Sequence, residues 1–518
     1  MHSVLIDALL RPERYPHPVS RCELIETHIS WVILAGDYVY KIKKPLDLGF
    51  LDFSTLEKRR FYCEEEIRLN RRLAPDIYLK AIAIGGEPDA PVLEAQENII
   101  EYAVKMRRFP QQAQLDRMLE NGELRPSHID AFAHMAATFH QRVDVAGAES
   151  EFGGPGQVWQ PMAENFSQIR EHLPDADRDA RLSALERWSR DAFTGHKALI
   201  EARKRRGFVR ECHGDMHLRN LAWIDGEAIA FDGIEFNPHL RWIDVISEVA
   251  FLVMDLYARD EPALARRFLN HYLQITGDYE ALALLPLYLV YRALVRAKVA
   301  AIRWGQSDDV GANDVEAQRE FDDYLAIAEG FTESEKRGVV ITRGMSASGK
   351  TTLTGALLER LGAIRLRSDV ERKRLFGMRA EEDGRAPPGG GIYTTEAGER
   401  TYDRLLQLAQ IVLDAGYPVI IDAVCRRRSQ RERFVQLARR HAVPCLIVEF
   451  AARPIELRRR IVSRGKGASD ADLAVLEHQL DGWEPLAEEE KSYSLVVDTE
   501  KVLSNTELSR EVSERLWG

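Results

Sequence analysis

Two rhythms of apolar residues divide this chain. From about residue 337 onward, short apolar runs recur at Val339–Thr342, Ala363–Leu366, Val419–Ile421, Leu446–Phe450 and Leu495–Val497, with helix-like stretches between them. Strand and helix in alternation predict a parallel sheet covered on both faces. Residues 30–110 read differently: β-like runs at Trp31–Leu34, Tyr38–Ile42 and Ile99–Met106 surround one helix. That helix is expected to begin near Ser54, where Ser54 and Glu57 have capping-box spacing, and to continue to about Leu73. From about Ser127 to Gly330 the pattern is mostly helical, apart from a β-like island around 208–232. A polar, acidic segment beginning near Gly305 leads into helical spacing at Phe321, Tyr324, Leu325 and Ala328, read as the last helix of the first domain before a short linker ending near Arg337. The expected organisation is an α+β domain over 1–336, with a sheet-rich lobe before a helical lobe, and a doubly wound α/β domain over 337–518.

Length and composition narrow the class. At 518 residues the chain has room for two or three domains, each able to bury its own core. A hydrophobic share of 45% and a charged share of 30% are those of an ordinary soluble globular protein. The net charge of -11 argues against a general polyanion-binding surface while leaving room for a local basic patch. Five scattered cysteines, with no paired spacing, suggest neither a zinc site nor a disulfide framework, and so a reducing, cytoplasmic setting. The first residues lack the charged start and long apolar run of a signal peptide. The most apolar stretch, Leu282–Ile302, is broken by Arg292, Arg296 and Lys298, so it reads as a buried or amphipathic helix rather than a membrane span.

Chemistry enters most sharply at Gly344-Met-Ser-Ala-Ser-Gly349-Lys350-Thr351, which fits GxxxxGK[ST] between an apolar run and a helical pattern. Glycines let the backbone wrap phosphates, and amides at the helix start, from Ser346, Ala347 and Ser348 through Thr352, point at them. Lys350 is expected to reach the β- and γ-phosphates and Thr351 to bind magnesium. Asp369, in Arg367-Ser368-Asp369-Val-Glu-Arg372, follows the second strand, where ligands of open α/β sheets bind. It is a candidate to take an acceptor's proton, with a helix N-cap as the plainer alternative. Arg372, one turn on, would hold the acceptor or its phosphate. Asp422 ends the Val419-Ile-Ile-Asp422 run and is expected at magnesium through water. Arg460 and Arg464 share one helix face in an arginine-rich stretch that could act as a mobile lid, or simply as a solvated basic face. Together with Gly416–Asp422 and Ser469-Asp470-Ala471, these motifs resemble the zeta-toxin and polynucleotide-kinase-like branch of P-loop kinases over about 337–500. The resemblance implies phosphoryl transfer from a nucleoside triphosphate to a hydroxyl and leaves the acceptor open.

The first domain carries His213-Gly214-Asp215-Met-His217-Leu-Arg-Asn220, then Phe231-Asp232-Gly233. The spacing reads as a metal–phosphate site: Asp215 to accept the proton of a hydroxyl, Asn220 and Asp232 to hold magnesium. His217 would shape the loop and His213 would be a packed structural histidine. The segment resembles the HGDxHxxN catalytic loop of the aminoglycoside phosphotransferase and choline-kinase-like family, over about 20–330, which implies a bilobal protein-kinase-like fold. It further implies Lys41 as the phosphate-binding lysine, with Lys43 on the same strand face as the alternative, and Glu66 as its partner, with Glu65 as runner-up. Met106 falls where the hinge would meet adenine. In a departure from kinase glycine-rich loops, the stretch before Lys41, Glu26–Val32, has no glycine. The acids Asp244, Glu248, Asp255, Asp260 and Glu261 could line an acceptor pocket or be scaffold.

These readings converge on an ATP- and Mg2+-using enzyme with two kinase-type sites acting on hydroxyls of small molecules. The alternatives are a nucleotide-binding regulatory protein with one inactive domain, and a nucleic-acid 5′-hydroxyl kinase. The net charge counts against the last, and the basic run Arg365, Arg367, Arg372, Lys373 and Arg374 counts for it.

Overall fold

The computed structural model describes residues 2–49, 51–172, 176–305, 312–334, 336–380, 382, 390–463, 473–501 and 504–518. The chain forms two compact units: Met1–Asp255 with Arg292–Gln318, and Leu256–Tyr291 with Arg319–Gly518. Each is described by itself.

The first unit opens with β1 (Cys22–Glu26), β2 (Ser30–Ala35), β3 (Tyr38–Lys43), β4 (Tyr78–Glu87), β5 (Ala90–Leu93) and β6 (Ile99–Arg107). They form one antiparallel sheet in the order β1-β2-β3-β6-β4-β5. The helix Leu56–Asn70 packs on it. Its cap is Thr55, whose Oγ1 accepts from the Lys58 amide at 3.2 Å, while Ser54 donates to Asp52 instead. The expected Ser54–Glu57 box is therefore displaced by one residue, because the Asp52 carboxylate already holds the Ser54 hydroxyl and amide. The buried residues of this helix are Arg59, Cys63, Glu66, Ile67, Leu69 and Asn70, half of them polar.

A helical lobe follows, through Pro126–Arg142, Pro155–Arg170, Ala176–Arg205 and Val245–Ala258. Four short strands lie within it: β7 (Val209–Glu211), β8 (Leu221–Ile224), β9 (Glu227–Ala230) and β10 (Trp242–Asp244), paired β8 with β9 and β10 with β7. The loops around these strands carry the motif residues Asp215, Asn220 and Asp232.

The second unit is built on β11 (Val339–Arg343), β12 (Ile364–Arg367), β13 (Val419–Asp422), β14 (Cys445–Ala451) and β15 (Ser494–Asp498), all parallel, in the order β12-β13-β11-β14-β15. Every residue of β11 is buried, as befits a central strand covered on both faces. Val340, Ile420, Val448 and Phe450 pack with Leu357 and Leu358 of helix Lys350–Leu361 and Leu508 and Val512 of helix Asn505–Trp517.

Residues 256–291 and 319–336 cluster with this parallel sheet, so the compact units do not divide at the expected 336/337 position. The physical reason lies at the sheet edge. Asn270, on helix Pro262–Thr276, accepts from the Arg365 amide at 2.8 Å and donates to Ala363 O at 3.0 Å, satisfying the edge of β12. Arg266 of the same helix donates to Glu359 O at 3.0 Å. Among the described residues, no helix is long and apolar enough to cross a membrane.

Candidate active sites

In the first unit, Lys41 Nζ lies 3.0 Å from Glu66 Oε1 and 2.5 Å from Asp232 Oδ1. Lys43, two residues on, is fully buried between Glu66 (2.7 Å) and Glu235. Alternation along β3 thus puts both lysines on one face, but only Lys41 reaches the half-exposed Asp232 carboxylate; Lys43 is enclosed in an ion-pair cluster. Glu65 looks elsewhere, to Arg68 at 2.7 Å and Arg241 at 2.9 Å. Burial works against the charge on Lys41, yet Asp232, Glu66 and Glu235 outweigh it and hold the ammonium well above its ordinary value. Burial likewise opposes the Glu66 carboxylate, and Lys41 and Lys43 overcome it, holding that carboxyl well below the usual range.

Asp232 sits in the left-handed region at φ 60, unusual for a residue with a Cβ. Its amide donates to Tyr78 Oη at 3.0 Å and the next amide, of Gly233, donates to Asn70 Oδ1 at 2.8 Å. These bonds from two different elements hold the strained turn that presents the carboxylate.

Asp215 accepts from Asn220 Nδ2 at 2.9 Å and lies 3.3 Å from His217 Nε2. Burial pushes its carboxyl up, but His217, by charge and hydrogen bond, and the charge of Arg296 outweigh that and keep it well below the usual carboxylate range. It is a carboxylate at neutral pH, suited to accept and orient a hydroxyl. His213 Nδ1 accepts from the Asp215 amide at 3.3 Å, and Nε2 donates to Phe231 O at 2.9 Å. That pattern requires the neutral imidazole, and burial lowers the His213 pKa in the same sense.

The loop is anchored from behind by a buried acid. Glu248 accepts from the His213 amide (3.1 Å), the Gly214 amide (2.5 Å) and His140 Nε2 (2.8 Å). Asp255 accepts from the Leu218 amide at 2.9 Å, and Asp244 pairs with the buried Arg203 at 2.7 Å. Three of the acids considered for an acceptor pocket are therefore buried scaffold. Glu248 also lies with His140 and Cys212 in a buried group whose ligand atoms fall within 4.8 Å of one another, but its oxygens already serve the loop. Met106, on β6, joins Phe109, Ile224, Ile229 and Phe231 as half-buried apolar side chains beside Val104 and Cys63. Phe109 and Phe231 stand edge to face at 5.2 Å. Met106 and Phe109 belong to the segment expected at the hinge; Ile224, Ile229 and Phe231 reach this cluster from β8, β9 and the turn after β9, which meet it only in the fold.

The residues present suit a hard cation. Asp232 supplies a carboxylate oxygen, and Asn220 Oδ1, with Nδ2 committed to Asp215, has no partner among the described residues.

In the second unit the Gly344–Thr351 segment joins β11 to helix Lys350–Leu361. At Gly344, φ 155, an added Cβ would stand 2.7 Å from Phe450 O and from Ser348 Oγ, so only glycine fits. Ala347 (φ 63) and Gly349 (φ 86) make the left-handed turns of the loop, in which the Gly344 amide donates to Val424 O at 3.3 Å and the Ser348 amide to Met345 O at 3.2 Å. Lys350 Nζ donates to Gly344 O at 2.7 Å and Met345 O at 2.9 Å. Ser348 Oγ is buried with no hydrogen-bond partner, an orphan suited to an anion. Ser346 bonds to Gln479, through its amide at 2.8 Å and its hydroxyl at 3.0 Å. Thr351 and Thr352 are exposed on the first helical turn. Asp422 is buried at the end of β13, accepting from Thr354 Oγ1 at 3.4 Å, with Arg367 Nε 3.9 Å away. Thr351 and Asp422 thus offer the oxygens a magnesium ion would use.

Asp369 lies in the first turn of helix Ser368–Leu375 and makes no hydrogen bond or ion pair among the described residues. The N-cap position is Arg367, so the capping alternative for Asp369 does not apply. Arg372 donates to Ile392 O at 3.2 Å and lies over the Tyr393 ring at 5.1 Å. Its Nε is buried with no hydrogen-bond partner. Arg460, on helix Pro454–Ser463, bonds to Thr499 O at 2.8 Å and approaches Ala347 O at 3.5 Å. Arg464, and with it Ser469-Asp470-Ala471, lies outside the described residues. Gln479 was not singled out from the sequence, and nothing in its surroundings there marks it.

Compared with known proteins, residues 339–486 match a family model described as an AAA domain. Relatives include "Uncharacterized protein Rv2004c" of Mycobacterium tuberculosis (strain ATCC 25618 / H37Rv), 32% identical over 464 residues, 88% of this chain and 89% of its own. "Uncharacterized protein Mb2027c" of Mycobacterium bovis (strain ATCC BAA-935 / AF2122/97) matches with the same figures, 32%, 88% and 89%. Among solved structures, a choline/ethanolamine kinase family protein from Mesorhizobium loti is 11% identical, covering 64% of this chain and 100% of its own, with a TM-score of 0.38. A gluconokinase from Sinorhizobium meliloti 1021 is 19% identical, covering 35% of this chain and 93% of its own, with a TM-score of 0.26.

Proposed function

This chain belongs to the family of the mycobacterial proteins Rv2004c and Mb2027c, which it matches over 88% of its length, and on that footing we propose that it is an ATP-dependent phosphotransferase with two sites, each acting on the hydroxyl of a small molecule. The observation that carries the reading is Lys41, bonded at once to Glu66 and to Asp232, residues 25 and 191 positions away. A lysine positioned by a buried glutamate and aimed at a half-exposed carboxylate is the arrangement phosphoryl transfer needs, because catalysis there is positioning plus charge stabilisation.

In the first unit Lys41 binds phosphate oxygens and Asp215 accepts the proton of the acceptor hydroxyl. Asn220 and Asp232 hold magnesium, which neutralises charge on the phosphates. Met106, Phe109 and Phe231 take the base. In the second unit the loop amides and Lys350 bind the phosphates, with Thr351 and Asp422 toward magnesium. Asp369, without a partner among the described residues and just past the carboxyl end of β12, accepts the acceptor's proton, and Arg372 steadies the acceptor.

One feature favours a second reading for the first unit, that of a nucleotide-binding regulator. The turn between β1 and β2 has no glycine, and Thr27 and Ser30 spend their amides on each other, at 2.9 Å in both directions. Three cations of the basic run that favoured a nucleic-acid reading bond within the unit. Arg365 bonds to Thr351 O, Lys373 to Ala380 O and Glu382 O, and Arg374 to Glu371, so these cations are spent internally.

The test is transfer of labelled γ-phosphate from ATP to a pool of metabolites, aminoglycosides and oligonucleotides. Wild type should label acceptors; Asp215→Asn should remove one product and Lys350→Ala another, each by at least about a hundredfold. Slow release of free phosphate alone, unchanged by Asp215→Asn, would favour the regulatory reading.

A further inference from the structure

The carboxamide of Gln479 stands inside the phosphate loop. The Ser346 amide donates to its Oε1 at 2.8 Å, and its Nε2 donates to Ser346 Oγ at 3.0 Å. Gln479 belongs to helix Leu473–Asp481, which is tied to helix Pro454–Ser463 by the Arg458–Glu477 pair at 2.8 Å. An inward amide of such a loop normally bonds a phosphate oxygen; here a neutral carbonyl oxygen of the same acceptor character takes that place. Lys350 indicates which phosphate would displace it. Its Nζ rests on Gly344 O and Met345 O, immediately before Ser346. A lysine at this motif position reaches the β- and γ-phosphates, so the 344–346 side of the loop borders the terminal phosphate. The amides at the helix start, from Gly349 to Thr351, border the inner ones.

Resting on the reading of this loop as a nucleotide site, we propose that Gln479 is the residue by which the second unit distinguishes a nucleoside triphosphate from a diphosphate. A terminal phosphate oxygen takes the Ser346 amide from Oε1, and Nε2 turns from the Ser346 hydroxyl to donate to the same phosphoryl group. Neutral hydrogen bonds are exchanged for charge-assisted ones, so the exchange runs toward the triphosphate. A diphosphate ends short of Ser346 and leaves the carboxamide where it is. Gln479 is a specificity-determining residue in this account, and helix Leu473–Asp481 follows its contact.

The test is calorimetric titration of the full chain with ADP and with AMP-PNP, both with Mg2+, in a Lys41→Met background that silences the first unit. Gln479→Ala should weaken AMP-PNP about tenfold, the weight of one hydrogen bond to a charged group, and leave ADP within about twofold. Gln479→Glu, which sets a carboxylate against the terminal phosphate, should weaken AMP-PNP further and again spare ADP. Thermal melting of each variant without nucleotide checks the fold. An unchanged ratio of the two affinities in both variants overturns the proposal. So does a parallel rise in both affinities, which would make Gln479 a mere plug. A Lys41→Met parent that binds neither nucleotide overturns the loop's nucleotide reading and this inference with it.

Discussion

The two units hold their candidate phosphate-binding lysines by opposite means. In the first, Lys41 depends on side chains from a helix and a distant loop, Glu66 and Asp232. In the second, Lys350 leans on backbone carbonyls five and six residues before it, inside one contiguous loop. A site assembled from side chains encloses charges that need one another, so removing one strands the rest in a poor dielectric. A site assembled from backbone tolerates side-chain loss and fails only where a Cβ or the lysine itself matters.

Three experiments would break or sharpen that contrast. The largest effect is expected from comparing the paired lysines of β3. Lys41→Met should lower transfer at the first site by about a thousandfold while destabilising the unit less than loss of Lys43 does, because Lys43 still pairs with Glu66 and Asp232 is half exposed. Lys43→Met should instead destabilise the unit by about 3–5 kcal/mol, because Glu66 and Glu235 are then left buried together with too little positive charge. Urea unfolding and labelled transfer, measured on both variants, would break the contrast if the two lysines gave the same result.

Acid comes next. Glu66 and Glu248 both have carboxyls held below their ordinary 4.5, at about 2, against the effect of burial: Lys41 and Lys43 do this for Glu66, and His140, His213 and the Gly214 amide for Glu248. Their contribution to stability is complete above the unfolded value and is lost as pH falls from about 4.5 toward 2. Denaturant midpoints between pH 7 and 3 should therefore fall, with most of the loss below pH 4.5, and Glu248→Gln should flatten the curve. A profile that is flat across that window in the wild type would remove the side-chain network as the source of stability.

The smallest effect belongs to the loop. Ser348→Ala removes a buried hydroxyl that has no partner, so the nucleotide-free chain should melt at or slightly above the wild type, by less than about 1 kcal/mol. A loss several times larger would show that this loop, too, depends on its side chains.

Legibility in the sequence follows the same division. All five strands of the parallel sheet were read to within a residue or two, because a doubly covered strand is a near-continuous apolar run. The antiparallel sheet was half read. β4 was missed, where Lys80, Gly85 and Gly86 interrupt the alternation, and so were the exposed β1 and the short β5. The choice between Lys41 and Lys43 could not be made from the strand period, since both point the same way; it took the position of Asp232 to separate them. Glu66 over Glu65 was likewise settled by which face of helix Leu56–Asn70 meets β3. The acids of the helical lobe looked available for an acceptor pocket until Glu248, Asp255 and Asp244 proved to be holding the His213–Asn220 loop and Arg203.

Sequence alone determined what short-range chemistry can encode: the GxxxxGK[ST] loop, the alternation of strand and helix around it, and the HGDxHxxN segment with Asp232 following 17 residues after Asp215. Each lies within a few turns of chain, where spacing and geometry are nearly the same thing. Tertiary structure decided what depends on residues far apart meeting. It placed Lys41 on Asp232, gave the 256–291 helices to the parallel sheet through Asn270, and set Gln479 on Ser346. No local pattern carries those pairings, because each depends on loop closures over tens to hundreds of residues that only the packed cores can hold.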